Sequence, residues 1–117
     1  MAELAKALYW FGAVDIGVQL SGVAMDQYNN EEPWSVTASA GPTNGHGVTV
    51  IARNSEGNFD CVTWPNGKRA IQAATPPWIM ANMDEGFAYY SEDMLRSDQL
   101  SPRGIDKAGL LAALGKL

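Results

Sequence analysis

Two periodicities divide the first part of the chain. Leu4, Ala7, Leu8 and Phe11 fall at i, i+3, i+4 and i+7, which predicts a short amphipathic helix over 2–11. Gly12 stands where a helix C-cap glycine is wanted. From Val14 the period becomes two. Val14, Ile16, Val18 and Leu20 alternate with Asp15, Gly17, Gln19 and Ser21, the pattern of a half-buried strand. A continuous helix over 2–28 competes, but it would hold Gly12, Gly17 and Gly22 in its interior at about 1 kcal/mol each.

Beyond that point the pattern predicts four more strands and two helices. Residues 26–33 read as a polar loop. Trp34, Val36, Ala38 and Ala40 then alternate with Ser35, Thr37 and Ser39 as a second strand. Residues 41–47 form a glycine-rich turn, followed by strands at 48–53, 58–64 and 68–73. Asn66-Gly67 suits a tight hairpin turn between the last two. Pro76-Pro77 stops the sheet, because proline cannot donate to a ladder. Phe87, Tyr90, Met94 and Leu95 predict a helix over 84–98. Ser101-Pro102 opens a last one, with Ile105, Ala108, Leu111, Ala112 and Leu114 on one face. Short loops between strands favour an antiparallel meander over parallel βαβ units. The expected fold is α+β: an N-terminal helix, a sheet of about five antiparallel strands, and two C-terminal helices packed on one face, with 1–117 as a single domain.

Composition fits a globular protein: 117 residues, 46% apolar and 18% charged. Charge narrows the partners. Thirteen acids against eight bases give −5, and the largest basic cluster is the pair Lys68-Arg69. A phosphate-backbone binder needs clustered Lys and Arg, so direct nucleic-acid binding is not expected. Acids concentrate at Asp84, Glu85, Glu92, Asp93 and Asp98, and again at Glu31-Glu32. These segments suit either a basic-surfaced protein partner or plain solvation. The opening residues show no basic region followed by an apolar run, and no stretch approaches the roughly 20 apolar residues of a membrane span. No leader and no membrane association are therefore expected. The expectation is a cytoplasmic protein, a description that also covers one made by a phage inside its host.

Candidate chemistry is sparse. His46 is the only histidine, between Gly45 and Gly47, and reads as a loop residue exposed to solvent. Cys61 is the only cysteine; inside a strand it reads as a small buried hydrophobe, and Asp60 beside it raises the thiol pKa. No internal disulfide, metal site or cofactor is expected. The oxygen-bearing runs at 26–32 and 82–93 depart from the calcium-loop spacing. Gly12, Gly17 and Gly22 match no phosphate-cradling motif; Gly17 and Gly22 read as strand glycines that allow a bulge or close packing.

Four tryptophans remain, more indole than so small a core readily hides. Aromatic side chains that reach the surface favour binding hot spots. The leading expectation is a small non-enzymatic protein-binding domain: an inhibitor, adaptor or assembly factor, monomeric or a homodimer. Its candidate contacts are Asp84, Glu85, Tyr89, Glu92 and Asp93, with Glu31, Glu32 and Trp34. A phage-type anti-defence inhibitor that blocks a nucleic-acid-binding groove on its target is one alternative. A small-ligand binder or carboxylate-based enzyme, with a pocket between sheet and helices, is the other.

Overall fold

The computed structural model of the chain describes residues 2–37, 41–64, 67, 69–87 and 109. Helix α1 spans Ala2–Phe11 and ends at Gly12, whose N–H donates to Leu8 O at 2.9 Å and whose φ of 80° turns the following chain out of the helix. Strand β1 (Val14–Ser21) follows, with Val14, Ile16, Val18 and Leu20 buried and Asp15, Gly17 and Gln19 half-exposed. Helix and strand thus lie where the two periodicities place them.

The next element departs from expectation. Residues 22–29 form helix α2 (Gly22–Asn29) where a strand end and a polar loop are predicted. Ser21 caps it, its Oγ accepting from Ala24 N at 3.1 Å. The far end closes without glycine. Glu31 takes φ 61°, its N–H donates to Tyr28 O, and the Glu32 N–H donates to Gln27 O at 2.9 Å. This is the paired-bond helix end usually built on glycine, here carried by a glutamate.

Strand β2 runs over Thr43–Arg53, so the glycine-rich stretch 43–47 is ladder and not loop. Its backbone groups pair with the second half of β1, from Gly17↔Gly47 to Ser21↔Thr43. Strands β3 (Phe59–Val62) and β4 (Ile71–Ala74) complete an antiparallel meander. No strand forms at Trp34–Thr37. Trp34 is buried but makes only a single parallel bridge to Ala74, and Val36 is exposed, so the alternation there does not mark a continuous buried face. The expected strand residues 38–40 lie outside the described residues.

Thr75 ends β4 and caps helix α3 (Pro76–Asn82), accepting from Trp78 N at 3.3 Å. The two prolines that stop the sheet thus also start a helix, where a missing N–H costs nothing. Residues 83–87 then form strand β5 (Met83–Phe87), not the first turn of a helix over 84–98. The outer edge of β1 offers unpaired backbone groups, and β5 satisfies them, which outweighs the weak helical spacing. The rest of that segment and the whole of the last expected helix lie outside the described residues.

The sheet order is β4-β3-β2-β1-β5, antiparallel throughout, and the fold is α+β. One core joins the inward side chains of β1–β4 to Leu4, Ala7, Leu8 and Phe11 of α1, Ala24 of α2, and Trp78 and Ile79 of α3. The helices therefore cover one face of the sheet. Trp34 sits fully buried within this core. Its ring stacks on Trp78 at 4.7 Å and its Nε1 donates to Ala24 O at 2.9 Å. Among the described residues, no helix is long and apolar enough to cross a membrane.

Candidate functional site

The other face of the sheet carries the polar positions. Register places Asp15 opposite Thr49, Gly17 opposite Gly47 and Gln19 opposite Gly45. Side chains of directly paired residues share a face. Three glycines therefore lie side by side on two strands and leave a floor of bare backbone. A groove of about 420 Å³ opens over it, with Asp15, Gly17, Gly45, Gly47, Asp84 and Glu85 in its lining.

A bulge arms one side of this groove. Gly17 pairs with Glu85 but Val18 pairs with Met83, so Asp84 is an extra residue in β5. An extra residue breaks the alternation and turns consecutive side chains toward one face. Asp84 accepts from Gln19 Nε2, and Gln19 Oε1 accepts from Thr43 Oγ1 at 3.1 Å. Glu85 lies across Gly17, where a built Cβ would stand 3.0 Å from its Cγ. On the opposite rim, Asp15 Oδ1 accepts from Thr49 Oγ1 at 2.6 Å. The result is three carboxylates around a side-chain-free floor, two of them oriented by neighbouring polar side chains. Among the described residues, no group of three or more His, Cys, Asp or Glu is placed to hold a metal ion.

The expected contact residues fall in three places. Asp84 and Glu85 are exposed on β5 and belong to the groove. Glu31 and Glu32 are exposed at the end of α2, beside backbone that holds the fold. Gln72, itself buried, donates to Glu32 O at 2.7 Å and accepts from Arg69 at 2.9 Å. Trp34 is not a surface anchor, because the core encloses it. Tyr89, Glu92 and Asp93 lie outside the described residues.

His46 also stands elsewhere than expected. It pairs with Val18 and so takes the helix-covered side of the sheet, where its ring stacks on Trp64 at 4.9 Å. Trp64 in turn meets Tyr28 edge-on, and the Tyr28 hydroxyl donates to Arg69 O at 2.8 Å. The histidine thus joins a packing cluster that ties β2 to the segment before β4. Cys61 is fully buried, and burial with a smaller contribution from Asp60 pushes its thiol up to about 12. A thiol held protonated in this way is no nucleophile near neutral pH.

Sequence reasoning set Asp15, Gly17 and Gln19 on one strand face but did not join Gly45 and Gly47 to it. A signal was present: glycine at 45 and 47 repeats with the period of a strand, as Gly17 does among the polar positions of β1. No family model matches the sequence, and neither a curated protein nor a solved structure matches it significantly.

Proposed function

We propose that the chain is a non-enzymatic protein-binding domain that receives a basic segment of its partner on the open face of the sheet. The observation that carries this reading is the β5 bulge, which sets Asp84 and Glu85 together over the floor of Gly17, Gly45 and Gly47, opposite Asp15. A bare backbone floor lets a flat cationic group approach closely, and guanidinium presents a planar fork of donors to carboxylates. Ordered neighbours reduce the entropy lost on binding: Thr49 holds Asp15, and Gln19 holds Asp84.

An amide-shift NMR titration with an arginine-rich peptide tests the reading. Perturbations should concentrate at Gly17, Gly45, Gly47, Asp84 and Glu85. The double variant Asp84→Asn/Glu85→Gln should bind roughly tenfold more weakly or worse, from the loss of two charge-assisted contacts. Perturbations spread evenly over Asp26, Glu31, Glu32 and Glu56 as well would reduce the groove to general acidity and end the proposal.

A further inference from the structure

A second groove, of about 300 Å³, lies on the helix-covered side between α1 and β2, with Ala5, Leu8, Tyr9, Ile51, Arg53 and Phe59 in its lining. It owes its character to another bulge. The β2–β3 register shifts between Val50 and Ala52, and Ile51 joins the α1 side chains in the lining. The bulge does not bury it. Ile51 stays 40% exposed and Tyr9 56% exposed, so two large apolar side chains meet water in one depression. Gly12 ends α1 at its lip without a side chain to close it.

Charge is the second feature. In a chain of net charge −5, the charged residue that lines this groove, among the described residues, is Arg53. Its position is fixed on two sides. Nε donates to Gly57 O at 3.2 Å, and the guanidinium carbon lies 5.2 Å from the Phe59 ring centre. A held cation beside exposed apolar surface is complementary to an apolar group that carries an anion.

We infer that this groove docks a peptide segment of a protein partner in which a large apolar side chain stands beside a carboxylate. The apolar side chain lies against Tyr9 and Ile51, and the carboxylate meets Arg53. The inference is independent of the acidic groove, which lies on the other face of the sheet and selects the opposite charge.

The probes are a Gly-Ser host peptide carrying Leu-Phe-Asp, the same peptide with Leu-Phe-Asn, and octanoate. Each is titrated into the full chain and followed by amide shifts. The Asp peptide should perturb Tyr9, Ile51, Arg53 and Gly57 in a saturable way. The Asn peptide should bind roughly tenfold more weakly, as should the Asp peptide to Arg53→Gln, since one charge-assisted contact is worth about that much. Tyr9→Ser should weaken both peptides, with amide dispersion showing that each variant remains folded. Equal binding of the two peptides, or no saturable shift at the groove, overturns the inference. Tighter binding of octanoate than of the Asp peptide overturns it in favour of a small-carboxylate pocket. Shifts at Tyr9 and Ile51 that follow protein concentration without peptide overturn it in favour of a second copy of the chain.

Discussion

Cys61 shows how one side chain ties stability to pH. In the unfolded chain its thiol ionises near its ordinary value; in the fold it stays protonated up to about 12. Between those values the folded state holds a proton that the unfolded state has lost, so folding weakens as pH rises. The stabilisation is whole below about pH 9 and falls by up to about 1.4 kcal/mol per pH unit through that window. Urea titrations at several alkaline pH values should show this decline, and Cys61→Ala should flatten it. The native thiol should also resist a thiol-reactive dye at pH 8 and react at the rate of opening. Rapid labelling of the folded protein would mean that Cys61 is accessible, which its packing among Phe59, Val50 and Ala74 does not allow.

Among the elements, the end of α2 carries the clearest conflict between local preference and structure. Glu31 occupies the left-handed region, which costs a side-chain-bearing residue roughly 1–2 kcal/mol. Glu31→Gly removes that cost and adds back some unfolded-state freedom, so a net gain of about 0.5–1 kcal/mol is expected. Glu31→Val should lose stability. Both follow from thermal or urea unfolding. A glycine variant that is more stable but binds a partner less well would identify the glutamate as kept for contact.

The same helix end explains part of what the sequence conceals. α1 and β1 were legible because each has a full apolar stripe of the right period and Gly12 separates them. α2 was hidden because its stop signal is a glutamate and its apolar face is short. β2 was only half legible, since residues 43–47 hold their place by paired backbone and not by side chains. β5 was read as helix because five residues of mixed polarity fit either period, and its partner β1 is remote in sequence. The acidic groove needed both of these pairings at once. Asp84 and Glu85 stood out as acids, but nothing local to them announces Gly17, Gly45 or Asp15.

At the scale of the whole molecule, the sheet is built in sequence order except at one place. β1 to β4 pair with their neighbours in the chain, and β5 returns to the far side of β1. Gln19 and Asp84, joined across that last pairing, are 65 residues apart. The N-terminal strand therefore waits for a partner while the chain is being made. At about 5–20 residues per second, that separation corresponds to roughly 3–13 s of synthesis. Throughout that interval the outer edge of β1 is an open template for another strand, Val-Asp-Ile-Gly-Val-Gln-Leu, with Gly17 as its weakest β-former. Cell-free synthesis halted at Asn82 should give chains that sediment as aggregates, whereas synthesis through Phe87 and beyond keeps them in the supernatant. Equal recovery at both lengths would mean that the edge is harmless without β5. The bulged strand that carries Asp84 and Glu85 thus has a second task in the ribosome's time frame: it shields the first strand of this sheet, and is the last of the sheet to arrive.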